Sequence, residues 1–185
     1  MEFAQPTHQG NGQRANRLTM SHLLDFYRLQ KPDSEGRLLS DLWTWSDDQL
    51  EQCHDFIQWV FPLAEPSSVN PDAPLVTGAD RQAFRSDEHL RSNMRRSLSV
   101  FLRFLGLETN GNAQVTRPSN FANRSAIWRH PNHNWLRVTR LLKSLRLLGF
   151  DKEAAAVWAC LKELHENDGL VMEDSFSYWR EAAGG

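Results

Sequence analysis

The segment HNWLRVTRLLKSLRLLG, from His133 to Gly149, carries the clearest structural signal in the chain. Val138, Leu141, Leu142, Leu145 and Leu148 recur at three- and four-residue intervals, the period of one buried helix face. Pro131 and Asn132 precede the stripe and suit a helix start. Gly149 follows as a natural C′ residue, where the backbone turns left-handed. A helix this apolar needs other apolar faces to pack against, and the flanking sequence supplies them. Downstream, Asp151 is positioned to cap a helix carrying Ala154, Val157, Trp158, Leu161 and Leu164, and a last short helix bears Phe176 and Trp179. Upstream, Ser86 is positioned to start a long helix with the ridge Leu90, Met94, Leu98, Phe101, Leu102 and Leu105, closed by Gly106. Thr77 with Asp80, and Ser46 with Gln49, have capping-box spacing. The second of these predicts one continuous helix through Leu50, Cys53, Ile57, Val60 and Phe61, stopped by Pro62. Shorter helical pieces are expected from Ser21 through Tyr27, from Leu38 through Trp43, and as a turn from Phe121 to Trp128. Residues 62–76, with four prolines, and 108–118 read as loops. No run alternates as a strand would. The expected fold is therefore all-α, a multi-helix bundle or orthogonal helical array of about six to eight helices. Residues 21–183 form one domain in this reading, and the polar residues 1–20 form a disordered tail.

A chain of 185 residues is long enough to bury a core. Its mean hydropathy of −0.57 fits a globular protein, and no apolar run approaches the roughly 20 residues of a membrane-spanning helix. The N-terminus lacks the apolar stretch of a signal peptide. Cys53 and Cys160 are too few for a disulfide framework or a four-thiolate zinc site, so a cytoplasmic location is the expectation. The net charge of −2 conceals a polarity: residues 81–146 hold 13 Lys and Arg against 3 Asp and Glu, and both flanks are acidic. That segment could form an anion- or nucleic-acid-binding face, or be neutralised by the flanks folding beside it.

Polar residues interrupt the apolar pattern in two places. On a continuous helix from Ser46, His54 and Gln58 lie one turn apart at the edge of the apolar stripe. They form either a register-fixing polar network or a ligand or catalytic site. On the late helix, His133, Arg137 and Arg140 share one side. They could bind a carboxylate or phosphate, cap helix C-termini, or pair with Asp55 or Glu51. His130 and His133 have a spacing that metal ligands use, but no second ligand pair accompanies them, and no metal is expected. Cys53 and His54, as helix neighbours, would point about 100° apart and could not act on each other. The chain has no Walker loop, GxGxxG, HExxH, GxSxG or CxxC, and no cofactor is expected.

Two long stretches carry a family resemblance. HDFIQWVFPLAEPSSVN (His54 to Asn70) resembles the H-x-[YF]-I-Q-W-L-F-P-L-x-E-P of the opioid growth factor receptor family. HNWLRVTRLLKSLRLLG resembles that family's H-N-x-L-R-I-T-R-I-L-K-S-L-x-x-L-G, and Phe26-Tyr27-Arg28 sits upstream as the family's FYR does. The resemblance implies a helical domain without known enzymatic activity. It also implies a receptor role towards the opioid peptide methionine enkephalin, with nuclear and membrane association and restraint of cell growth. Vertebrate members carry C-terminal extensions, and this chain reads as the bare domain of a short bacterial-type relative.

The family motifs fall on His54, Gln58, Trp59, His133, Asn134, Arg137 and Arg140, the polar residues already singled out together with Trp59. One arrangement unites them as a ligand-binding site. The two helices face each other, and His54, Gln58, His133 and Arg137 line a shared cleft. Trp59, Trp128 and Trp135 wall it, Arg137 or Arg140 holds an acidic group, and Gln58 and Asn134 satisfy amides. The expected partner is a peptide or small anionic ligand. The alternatives are an enzyme with His54 or His133 as general base and an arginine-held anionic substrate, a phosphate or nucleic-acid binder using residues 81–146, and a scaffold in which these residues only hold the core.

Overall fold

Helix-forming periodicity dominates the chain, and the computed structural model, which describes residues 21–110 and 114–184, is mostly helical. The expected N-terminal tail lies outside the described residues. The helices are α1 (His22–Tyr27), α2 (Leu39–Leu42), α3 (Asp47–Gln52), α4 (Ile57–Val60), α5 (Gly78–Ser86), α6 (Glu88–Phe104), α7 (Ala126–Arg129), α8 (His133–Leu147), α9 (Asp151–Glu166) and α10 (Glu173–Ala183). Ten helices among the described residues exceed the six to eight expected, because several are single turns held by their neighbours. The expected continuous helix from Ser46 to Phe61 is two helices. It breaks where Cys53 adopts an extended backbone (φ −87°, ψ 130°), and residues 53–56 form a linker.

Local sequence chemistry sets the ends. The Ser46 hydroxyl accepts from the Gln49 backbone N–H at 3.2 Å, and the Gln49 side chain accepts from the Ser46 N–H at 2.9 Å. Thr77 and Asp80 form the same reciprocal box at α5. The long helix α6 starts one residue later than expected. Asp87 caps it, accepting from the His89 N–H at 3.0 Å, while Ser86 closes α5. Asp151 is likewise the first residue of α9, and Phe150 occupies its cap.

The loop expected over residues 108–118 contains a small antiparallel hairpin, β1 (Glu108–Asn110) with β2 (Gln114–Thr116), Thr109 facing Val115. Three residues per strand are too few to produce a readable alternation. The hairpin is supported from outside, β1 against α6 and β2 against α9.

At the centre, α8 packs against α9 and α10, and α1 packs against α5 and α6. Tyr27 is fully buried. Its hydroxyl donates to the Val60 carbonyl and lies 3.6 Å from Met94 Sδ, joining α1, α4 and α6. Gly106 ends α6 with φ of +77°, and a β-carbon there would lie 2.7 Å from Arg124 Cβ. Left-handed strain and a clash with a stem atom act together at this position. Gly106→Ala should lower the unfolding free energy by about 1–3 kcal/mol in a urea titration. An unchanged midpoint would show that both the left-handed turn at 106 and the 124 region yield freely.

Candidate functional site

The break after α3 creates the site. His54 sits on the linker, exposed rather than half-buried at a helix edge, and its ring faces that of His133 at the first turn of α8, centroid to centroid 4.9 Å. His54, Ile57, Gln58, His133, Arg137 and Arg140 border one hollow of about 260 Å³. Ser67, Val69 and Leu136 complete its wall.

Each polar group has its own surroundings. Arg137 is 5% exposed. It donates to the carbonyl oxygens of Leu50 at 2.8 Å and Cys53 at 2.6 Å, and to Asn134 Oδ1 at 3.0 Å. It therefore satisfies the open carbonyl end of α3, where a cation also suits the helix dipole. Burial pushes its guanidinium below the ordinary range, an effect opposed by Glu51 and Cys53. Asn134, almost fully buried, donates to Glu51 Oε2 at 2.9 Å and so links Arg137 to a carboxylate. Gln58 places its side-chain amide 2.9 and 3.3 Å from the Asp55 and His54 carbonyls, and the amide orientation that satisfies both of its polar atoms is the one that donates to them.

Arg140 is the exception. Its Nε is buried and has no hydrogen-bond partner, and its guanidinium forms no ion pair with any described residue. Burial lowers its pKa, with Glu65 acting in the opposite sense.

His133 Nε2 lies 3.2 Å from Glu51 Oε1, an ion-pair distance, yet the alignment makes no hydrogen bond. Burial lowers the His133 pKa. Arg137 and His54 push the same way, and Glu51 opposes them. The folded state thus holds the proton less tightly than the unfolded chain, whose imidazole titrates near 6.5. As pH falls through that value the unfolded chain takes up more proton, so this contribution destabilises progressively until the folded imidazole also protonates. Unfolding free energy measured from pH 7.5 to pH 5 should fall, and His133→Gln should flatten part of the slope. An identical slope in the variant would remove His133 from the account.

Two of the seven expected site residues do not reach the hollow. Trp59 turns into the core against Phe26 and His22, with centroids at 5.2 and 4.9 Å. Asn134 accepts from Arg137 and does not border the hollow. Trp128 and Trp135 do not wall the hollow either. Both pack on Trp179 of α10, and their ring nitrogens donate to the carbonyls of Leu105 and Ile127. Their large flat rings bury apolar area at the α7–α8–α10 junction while each ring nitrogen finds a backbone acceptor.

Sequence reasoning missed Arg37. It donates to Asp33, and to Asp55 through both terminal nitrogens at 3.0 and 3.1 Å, and it lies 3.1 Å from Cys53 Sγ. Asn70 donates to the Asp55 carbonyl at 2.8 Å, tying the 62–76 loop to the same linker. These contacts hold the segment that presents His54. Burial, and then Asp55, raise the Cys53 thiol pKa, and Arg37 opposes them. A thiol so held is a poor nucleophile.

The basic segment 81–146 is partly neutralised. Arg95 pairs with Glu88 and Glu153, Arg117 with Asp168, Arg124 with Asp47 and Arg146 with Asp151. Acidic flanks interleave with it, which weakens the nucleic-acid reading. Among the described residues no helix is long and apolar enough to cross a membrane.

The chain is thus a helical array with a cation-lined hollow between its two motif segments. The family described as "Opioid growth factor receptor (OGFr) conserved region" matches residues 16–182, and the chain belongs to that family. It is 41% identical over 121 residues to the opioid growth factor receptor of Rattus norvegicus, covering 63% of this chain and 21% of that protein. It is 37% identical over 134 residues to the Homo sapiens receptor, covering 69% of this chain and 20% of that protein. To the opioid growth factor receptor-like protein 1 of Xenopus tropicalis it is 33% identical over 123 residues, covering 65% and 24%. The chain thus spans about a fifth of the length of these curated relatives. Nothing in these mammalian and amphibian matches supports a bacterial affiliation. No solved structure matches the chain.

Proposed function

We propose that this domain is a ligand-binding module whose hollow receives an acidic group of a peptide or small molecule, with Arg140 as its anchor. The observation that carries the reading is the Arg140 guanidinium, partly desolvated on the wall of the hollow, its Nε without a hydrogen-bond partner and Glu65 the one carboxylate that acts on it, outside ion-pair distance. Buried cations are ordinarily paired, so an unpaired one bordering a cavity supports an incoming anion. Arg137 takes the supporting role, its donors being used by the end of α3. His54 and His133 offer further polar edges. The relatives named as opioid growth factor receptors favour a peptide ligand.

The test is an equilibrium titration with methionine enkephalin. Saturable binding should weaken about tenfold or more in Arg140→Gln, the scale of one charge-assisted hydrogen bond. Circular dichroism checks that the fold is kept. Equal affinity in wild type and variant, or no binding of the pentapeptide at all, would count against the reading.

A further inference from the structure

The hollow is smaller than a drug-sized ligand needs, and part of its lining is apolar. Leu136 is 75% exposed and Val69 63% exposed, and both border it. Exposed apolar residues are commonplace singly, but these two flank the same opening from α8 and from the 62–76 loop. Ile57, nearly fully buried, continues the apolar surface inward. On α8, Leu136 and Arg140 are four residues apart and so lie one above the other on one face. An apolar patch and an unpaired guanidinium are therefore adjacent.

We infer that the chemistry this hollow selects is a carboxylate borne on the same carbon as an apolar side chain, as at the free C-terminus of a peptide ending in an apolar residue or in an N-acylated amino acid. The inference rests on the binding reading above and narrows it. Volume argues for a single residue: about 260 Å³ is below the roughly 300–1,000 Å³ that holds a drug-sized ligand. Charge argues for a monoanion. Arg137 is committed to the Leu50 and Cys53 carbonyls, His133 is pushed toward its neutral form and faces Glu51, and the one guanidinium that remains, Arg140, feels Glu65 without forming an ion pair with it. A carboxylate matches a single guanidinium in a two-pronged contact, while the adjacent side chain covers Leu136, Val69 and Ile57.

The experiment titrates the full chain, by chemical-shift perturbation, with N-acetyl-leucine, N-acetylglycine and N-acetyl-leucinamide. N-acetyl-leucine should bind about tenfold tighter than N-acetylglycine, from burying part of one aliphatic side chain. The amide should lose about tenfold or more against the acid. Leu136→Ser and Val69→Ser, both at exposed positions that leave the fold intact, should shrink the leucine-to-glycine ratio toward one. Equal binding of the two acids, with Arg140 dependence retained, would overturn this inference and leave the broader reading standing. No binding by either acid would overturn both. A tripeptide ending in leucine that binds as tightly as N-acetyl-leucine upholds the inference with a peptide C-terminus as the source. A tripeptide excluded by its length upholds it with a free N-acyl amino acid.

Discussion

Arg137→Met should lower the unfolding free energy by about 3 kcal/mol, a drop of roughly 6–12 °C in melting temperature for a chain of this size. The side chain is 5% exposed, and its removal leaves the Leu50 and Cys53 carbonyls and Asn134 Oδ1 without their donor. Each unpaired buried acceptor costs about 1–3 kcal/mol, although losses within one network do not add in full. Methionine retains the stem volume and the contact with Phe56, over which the guanidinium sits at 5.5 Å. It also removes a desolvated charge, which offsets part of the loss. Arg137→Lys keeps the charge but lacks the planar fork, so it should lie between the two. Urea denaturation of the three proteins decides. A methionine variant within 0.5 kcal/mol of wild type, on the order of an ordinary surface change, would show that α3 ends without help from α8.

That dependence explains what the sequence could and could not show. Val138, Leu141, Leu142, Leu145 and Leu148 define α8 from spacing alone, and all five are buried. The Ser46–Gln49 and Thr77–Asp80 boxes are equally local and form as the spacing predicts. The break at Cys53 is different. Leu50, Cys53, Ile57, Val60 and Phe61 fit one helix or two, and periodicity has no preference. Groups distant in sequence decide it: Arg37 on Asp55, Asn70 on the Asp55 carbonyl, and Arg137 on the carbonyls of Leu50 and Cys53. The polar interruptions at His54, Gln58, His133, Arg137 and Arg140 marked the residues that border the hollow, yet not the division of labour between the two arginines. They stand three positions apart on one helix. Only the position of the end of α3 makes one a structural donor and leaves the other unpaired. Leu136 and Val69 gave no signal at all, because an exposed apolar residue has no period to break.

The division of labour predicts a variant in which stability and binding part company. Arg140→Leu should stabilise the unliganded domain by about 1 kcal/mol, the usual scale when a residue kept for function is replaced by one that suits the fold. The guanidinium Nε is buried and has no hydrogen-bond partner, so the fold loses no bond with it. Burial already depresses its pKa, which is the same unfavourable desolvation seen from the side of the proton. Leucine keeps apolar stem contact with the wall and extends the surface formed by Ile57 and Leu136. The same change should remove the thermal stabilisation that a saturating carboxylate ligand gives the wild type, because stabilisation by a ligand follows its affinity for the folded state. The paired result matters more than either half. A variant that loses both stability and binding would make Arg140 another support of the fold, like Arg137. One that gains stability and still responds to the ligand would move the anion elsewhere. A rise in the unliganded melting temperature, with the ligand-induced shift gone, is what an anchor held ready for an incoming anion requires.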